Sequence, residues 1–176
     1  SLPSGWIAAM TGEQPQYLIC SDTATLAALL PQELSIDDGT GWQAACLLNG
    51  HFPFAASDSE LYTPQELHYE QKLYISFTKG CYTGQELVAR IDSRGNNVPH
   101  PIRLLVLDVD AAVGDEVLVD GATVGSLTSV TPALGAGLPA LALARVGRAV
   151  VPGSVVAVQN GSAAAPASVV EPGAVR

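Results

Sequence analysis

The chain has 176 residues, of which 48% are hydrophobic and only 14% are charged, a balance that excludes an intrinsically disordered chain. Its formal net charge is −9, from 17 acidic and 8 basic residues. Because a nucleic-acid-binding protein needs a basic face to neutralise phosphates, we expect no direct contact with nucleic acid. The length suffices for one medium domain or two small ones.

Three cysteines, Cys20, Cys46 and Cys81, lie far apart and form no CxxC pair. This spacing indicates neither a disulfide framework nor a metal site, and it favours a reducing, cytoplasmic setting. The long uncharged stretches at residues 121–144 and 149–170 are interrupted by glycine, proline, serine and threonine. They predict strands and turns rather than membrane spans, and we expect neither a membrane segment nor a signal peptide.

The first half of the chain predicts a mixture of helices and strands. Tyr17–Cys20 is a short apolar run that suits a buried strand, and Asp22 precedes an apolar helical pattern, as N-cap residues do. A second helix is predicted over Trp42–Leu48. A further strand is predicted over Leu73–Phe77.

A loop bounded by two glycines follows at Lys79–Gly84 and leads into a helix predicted over Gln85–Ile91. Cys81 lies in this loop beside Lys79, close to the predicted start of the helix. Because helix N-terminal amides and a neighbouring ammonium group both stabilise a thiolate, Cys81 is a candidate nucleophile. The other interpretation, which spacing alone favours, is a small buried hydrophobic residue.

Basic residues are concentrated in the middle of the chain, where residues 72–103 hold five of the eight. One interpretation is ordinary charge on a solvated helix face. The other is a local positive site on an acidic protein, suited to a small polyanion. The five residues are Lys72, Lys79, Arg90, Arg94 and Arg103.

The histidines show no catalytic or metal-binding spacing. His51, His68 and His100 form neither HxH nor HxxxH pairs. No GxSxG nucleophile elbow and no glycine-rich phosphate loop occurs either.

The second half predicts β structure throughout. Asp120-Gly121 is typical of a tight hairpin turn. Short strands separated by regular turns predict a small barrel or sandwich, with a domain boundary within residues 96–101. The predicted strands are Ile102–Val109, Glu116–Val119, Thr123–Val130, Leu138–Val146, Ser154–Val158 and Ala167–Val170.

The string KGCYTGQELVAR at Lys79–Arg90 closely resembles the signature of the YgfZ family, folate-binding proteins related to the glycine-cleavage T-protein. Gly50–Pro53 resembles the family's Gly-x-Pro turn with one additional residue, and Thr63–Glu66 resembles its Pro-Gln-Glu element. Val124–Ser129 and Leu141–Arg145 resemble the C-terminal barrel of the superfamily. The resemblance covers roughly residues 15–160.

The resemblance implies an α+β fold in two parts. Residues 1–97 are expected to form the C-terminal part of a T-protein-like α/β domain of ferredoxin-like type, which binds folate. Residues 98–176 are expected to form a small antiparallel β-barrel. Family members are longer on the N-terminal side, so we expect this chain to be a C-terminal portion, without the half that supplies much of the folate pocket.

The resemblance also implies a function. A member of this family is expected to bind tetrahydrofolate, or a one-carbon derivative of it, and to support the assembly or repair of iron–sulfur clusters. Its expected partners are iron–sulfur enzymes or assembly proteins, and through them it supports tRNA modification. A non-catalytic protein-interaction module stays open as one alternative.

A folate-dependent aminomethyl or one-carbon transferase is the other alternative. T-proteins carry Arg-x-Glu just before the Gly-x-Pro turn, and the corresponding positions here are Cys46 and Leu48. A carboxylate suits the pterin edge because it accepts two hydrogen bonds from ring N–H groups. Its absence weakens the case for ordinary aminomethyl transfer.

The resemblance assigns a candidate site to the loop and helix. Cys81 is the candidate catalytic residue, a thiolate nucleophile or a redox-sensitive ligand beside the bound folate. Lys79 and Arg90 are expected near the anionic glutamate tail, and the two glycines allow the backbone to approach closely. The candidate cofactor-binding residues are Lys79, Gly80, Tyr82, Gly84, Gln85, Glu86 and Arg90. Of these, Gln85 and Glu86 are expected to orient the loop by hydrogen bonds, and Tyr82 to offer a stacking face.

Overall fold

The computed structural model describes residues 6–10, 16–20, 22–29, 39–48, 61–67, 75–133, 138–161 and 163–171. Two strands and then three helices make up the first part of these ranges, and strands alone follow from residue 102. In chain order the elements are β1 (Trp6–Met10), β2 (Gln16–Cys20), α1 (Thr23–Leu29), α2 (Thr40–Leu48), α3 (Gln85–Ser93), β3 (Ile102–Leu107), β4 (Glu116–Val119), β5 (Ala122–Thr131), β6 (Ala140–Val146), β7 (Val155–Asn160) and β8 (Ala163–Val170).

Strands β3 to β8 form a closed antiparallel barrel in the order β3-β6-β5-β4-β7-β8, with β8 pairing back onto β3. The barrel confirms the predicted architecture. Each of the six predicted strands is present, with ends displaced by at most four residues. The register pairs Ile102 with Arg145 and Leu107 with Ala140.

Strand β3 is buried on both of its faces, which explains its nearly continuous apolar sequence. Leu105 and Leu107 belong to the cluster that fills the barrel, together with Val117 and Val158. Ile102 and Leu104, on the other face of β3, belong to a second cluster. In this cluster, residues of β3 and β6 pack against α2 and the turn at residues 63–67. Its buried members are Leu47, Leu67, Ile102, Leu104, Leu141 and Leu143.

Two local features fix one turn and one close contact between strands of the barrel. Asp120 and Gly121 both have positive φ, 50° and 78°, which is the conformation of a type I′ hairpin turn. Gly125 lies where β5 passes very close to β6, and a Cβ added there would lie 2.8 Å from the Cα of Val146. Only glycine fits this approach without a backbone shift.

The first part of the chain confirms several predictions. Strands β1 and β2 form an antiparallel hairpin that includes the predicted strand at Tyr17–Cys20. Asp22 caps α1, because its carboxylate accepts hydrogen bonds from the backbone N–H and hydroxyl of Thr25, at 2.9 and 2.8 Å. Helix α2 begins two residues before the predicted helix at Trp42–Leu48.

Other predictions for this part are corrected or stay untested. The predicted strand at Leu73–Phe77 is absent over residues 75–77, which bend into the following loop and pair with no strand; residues 73 and 74 lie outside the described residues. The described part of residues 1–97 shows three helices and one two-stranded hairpin. A T-protein-like, ferredoxin-like domain therefore stays a prediction, as does the division at residue 97.

Candidate functional site

The predicted site loop is folded by short-range hydrogen bonds at both of its ends. Ser76 Oγ accepts a hydrogen bond from the backbone N–H of Lys79 at 3.3 Å. Gln85 Oε1 accepts one from the backbone N–H of Tyr82 at 3.4 Å, so this side chain contacts the loop, and its role toward folate stays a prediction. Gly84 precedes α3 with a φ of 85°, a left-handed conformation that glycine adopts at no steric cost.

Lys79 and Tyr82 form a cation–π pair within this loop. The Lys79 ammonium nitrogen lies 4.5 Å from the centroid of the Tyr82 ring. Lys79 is exposed and Tyr82 is half-buried. One face of the ring that was expected to stack on a ligand is therefore covered by the lysine, and the ammonium charge is held at the loop surface.

Cys81 is exposed, and the interpretation of this residue as a small buried hydrophobe is wrong. The expected contact with helix amides is also corrected, because α3 begins at Gln85, four residues after Cys81. Cys46 differs sharply, since it is buried in α2 and burial raises the pKa of its thiol. The side chain of Cys20 lies outside the described residues.

Glu86 and Arg90 form an ion pair one turn apart on α3, with 2.6 Å between Oε1 and Nη2. Both side chains are exposed. The Glu86 carboxylate is thus directed to Arg90, whereas the sequence predicted that it orients the loop. An anionic ligand approaching Arg90 meets a guanidinium that already has a carboxylate partner.

The turn at residues 63–66 connects the site helix to the barrel. Thr63 and Glu66 form a reciprocal capping box, with the backbone N–H of each bonded to the side chain of the other at 3.0 and 3.3 Å. Between them, Gln65 Nε2 donates a buried hydrogen bond to the carbonyl oxygen of Val88 in α3 at 2.9 Å. Glu66 Oε1 pairs with Arg145 Nη2 of β6 at 3.3 Å.

A polar pocket lies where this turn, the end of α3 and the barrel meet. Its volume is about 230 Å³. Sequence reasoning singled out Arg103 only as part of the basic cluster and missed the pocket, because its walls come from segments far apart in the chain. The lining residues are Gln65, Asn96, Asn97, Val98, Pro101, Arg103 and Arg148.

The remaining candidate chemistry gives no further site in the described ranges. His100 is exposed, whereas His51, His68, Lys72 and the Gly50–Pro53 turn lie outside the described residues. Among the residues described, no group of three histidine, cysteine or acidic side chains is placed to hold a metal ion. No helix in the described ranges is long and apolar enough to cross a membrane.

The fold and site define a protein with a six-stranded antiparallel barrel, joined by a buried glutamine and an ion pair to an exposed loop and the helix that follows it. The chain is similar to the tRNA-modifying protein YgfZ of Colwellia psychrerythraea, with 39% identity over 89 residues. It is also similar to the proteins of the same name from Edwardsiella ictaluri, 36% over 92 residues, and Escherichia fergusonii, 38% over 85 residues. No protein-family model matches the chain.

These matches confirm the resemblance to YgfZ-type proteins over about half of the chain. The matched segments cover 50% of this chain in the first two comparisons and 47% in the third. They span only 28%, 28% and 26% of the three relatives, so the chain covers about a quarter of their length.

Proposed function

We propose that this chain is the part of a YgfZ-type protein that presents the loop at residues 79–84 to tetrahydrofolate or a one-carbon derivative. In this role it supports iron–sulfur cluster assembly or repair and, through those clusters, tRNA modification. The name of the relatives, tRNA-modifying protein, supports the link to tRNA modification. The KGCYTGQE resemblance supports folate.

The single observation that carries the proposal is that Gly80 is exposed and that no described residue requires a glycine there. Its φ lies outside the left-handed region, and an added Cβ would meet no atom of the described residues within 4 Å. Gly84 differs, because its positive φ requires glycine for the turn into α3. Because glycine has no side chain, a glycine at a position where the fold does not require one lets a ligand approach the backbone closely.

The charges around this loop fit an anionic ligand tail. Lys79 is exposed, and its ammonium group lies over the Tyr82 ring. The nearest carboxylates on α3 already have partners: Glu86 pairs with Arg90, and Asp92 accepts a hydrogen bond from Asn96. An exposed ion pair such as Glu86–Arg90 contributes only about 0–1 kcal/mol. A ligand carboxylate can therefore displace Glu86 from Arg90 at little cost, while Lys79 forms no ion pair with a carboxylate of the described residues.

Cys81 is exposed and lies between Gly80 and Tyr82 in the loop at residues 79–84. Its thiol is exposed, whereas that of Cys46 is buried, so Cys81 is the cysteine of the described residues best placed to react beside a bound ligand. We include Cys81 in the proposal as the reactive group of the loop.

The test is a titration of the 176-residue chain with tetrahydrofolate, followed by ¹H–¹⁵N NMR, which detects weak binding residue by residue. We expect shift changes in residues 79–84. Gly80→Ala and Lys79→Gln should weaken binding at least about fivefold, or about 1 kcal/mol, without lowering the melting temperature.

Two matched variants serve as controls. Gly147→Ala adds a methyl group at another glycine in an ordinary conformation, where the nearest atom is 3.8 Å away. Arg94→Gln removes one exposed positive charge at the end of α3. Both should bind tetrahydrofolate within about twofold of the unmodified chain; equal losses in all four variants, or no shift in the loop, overturn the proposal.

A further inference from the structure

The turn at residues 63–66 is fixed on the barrel by contacts to two of its strands. The backbone N–H of Ile102, the first residue of β3, donates to the carbonyl oxygen of Glu66 at 3.0 Å. The Glu66 carboxylate pairs with Arg145 of β6, and the next residue, Leu67, belongs to the buried cluster that includes residues of β3 and β6. A side chain carried on this turn therefore has a fixed position relative to the barrel.

Helix α3 has few contacts of its own with the rest of the protein. Val88 is the only residue of the helix that is fully buried. The other side-chain hydrogen bonds of α3 stay within the helix or reach neighbours just outside its ends. Among the described residues, the bond from Gln65 Nε2 to the Val88 carbonyl, at 2.9 Å, is the only hydrogen bond that joins α3 to a distant part of the chain. This bond therefore sets where the helix lies relative to the barrel.

The first turn of α3 connects Val88 to the loop at residues 79–84. The backbone N–H of Val88 donates to the carbonyl oxygen of Gly84 at 3.2 Å, and the backbone N–H of Gln85 donates to that of Tyr82 at 3.2 Å. Both acceptors belong to the loop. A displacement of Val88 is therefore carried to the loop within one turn of the helix.

Fold stability gives little reason for a glutamine at position 65. The residue is 3% exposed, and its Oε1 has no hydrogen-bond partner among the described residues. A buried acceptor without a partner costs at least as much free energy as one neutral hydrogen bond contributes, so the bonded Nε2 and the unpartnered Oε1 largely cancel. Compared with an apolar side chain of the same length, Gln65 adds little net stability. What it adds is a defined position for Val88.

We propose that Gln65 is a positioning residue for the loop at residues 79–84, because its hydrogen bond to Val88 keeps the loop in the arrangement that binds ligand. This inference rests on the proposed function, in which that loop binds tetrahydrofolate. The apparent affinity of a ligand falls in proportion to the fraction of the protein in the binding arrangement. Loss of one such hydrogen bond should therefore weaken binding about fivefold.

The first measurement uses the 176-residue chain without ligand. Gln65→Met keeps the length of the side chain and removes both of its polar atoms. We expect the backbone amide signals of Val88 and of residues 79–84 to shift in ¹H–¹⁵N NMR spectra, and the amide hydrogens of α3 to exchange faster. Gln159→Met is the matched control, since Gln159 bonds the carbonyl of Gly161 at an exposed site of the barrel. It should leave these signals unchanged.

Gln65→His tests whether a new donor at this position restores the loop. A neutral imidazole is close to glutamine in size and donates one N–H, so it can replace the bond to the Val88 carbonyl. At pH 8, where the imidazole is neutral, the loop signals of Gln65→His should lie closer to those of the unmodified chain than the signals of Gln65→Met do. A role in packing alone would give the same result for both variants, because both fill the space.

Titration with tetrahydrofolate gives the second readout. Gln65→Met should bind about fivefold more weakly than the unmodified chain, Gln65→His should lie between them, and Gln159→Met should stay within about twofold. If the unmodified chain binds no tetrahydrofolate, the proposed function fails, and the spectra without ligand still decide whether Gln65 positions the loop. Unchanged loop signals in Gln65→Met, equal changes in Gln159→Met, or identical results for Gln65→Met and Gln65→His would overturn the positioning role.

Discussion

The side chain of Gln65 donates a buried hydrogen bond of 2.9 Å to the carbonyl oxygen of Val88, 23 residues further along the chain. This bond joins the turn at residues 63–66 to the middle of α3. The neighbouring Glu66 contacts Arg145 in the barrel. The position of the helix that follows the candidate loop is therefore set by two adjacent side chains of one short turn.

Gln65→Ala should destabilise the chain because it removes a buried donor and leaves the Val88 carbonyl without that partner. The expected loss in the free energy of unfolding is about 1–3 kcal/mol. Urea unfolding measures it. Gln159→Ala is the matched control, since Gln159 also bonds a backbone carbonyl, that of Gly161 at 3.0 Å, but at an exposed site. Losses of equal size in the two variants would contradict a special role for the Gln65 bond.

Two ion pairs of this chain should differ in their contributions to stability. Glu66 is 12% exposed, pairs with Arg145 and closes the Thr63 capping box, whereas Glu86 is 86% exposed and pairs only along α3. Glu66→Ala should cost about 2–3 kcal/mol, since it removes a cap and uncovers a partly buried arginine. Glu86→Ala should cost less than about 0.5 kcal/mol. Thermal unfolding at low and high salt measures the stability loss of each variant. A larger loss for Glu86→Ala than for Glu66→Ala would contradict the greater contribution of the Glu66–Arg145 pair.

Cys81 should react with iodoacetamide near neutral pH much faster than Cys46. Cys81 is exposed, while Cys46 is 4% exposed and burial raises its pKa, so that less thiolate is present. Mass spectrometry of peptides after timed labelling measures both rates, and labelling in urea gives the reference in which the difference should largely disappear. Cys81→Ala should leave the melting temperature unchanged; a large drop would indicate a structural role for this thiol.

Stability should fall as the pH rises above about 9, in part because of Cys46. The folded-state pKa of this thiol is raised above its ordinary value of 9.0. Above that value the unfolded chain loses the thiol proton while the folded chain keeps it, so the unfolded state binds fewer protons and is increasingly favoured. Urea unfolding of the unmodified chain and of Cys46→Ala between pH 8 and 10.5 isolates this contribution. A slope with pH that is identical in the two proteins would contradict it.

The sequence by itself determined the local elements of this protein. Short strand-like segments separated by regular turns, one of them a DG turn, were enough to predict the six barrel strands, because turn chemistry and the spacing of short segments depend on neighbours within a few residues. The Asp22 cap and the loop before Gln85 were predictable for the same reason. The strand expected at Leu73–Phe77 failed over its described residues, since a short apolar run has no preference of its own without a partner strand.

The tertiary structure alone decided which distant residues meet. Gln65 reaches Val88, Glu66 reaches Arg145 across 79 positions, and Arg103 shares a pocket with Arg148. Side-chain exposure was likewise decided by the tertiary structure. Cys46 and Cys81 are both single cysteines in or near helices, and only the packing of the chain makes the first buried and the second exposed. Burial and long-range pairing depend on how elements pack against one another, and a local sequence pattern carries no information about the side chain that arrives from another part of the chain.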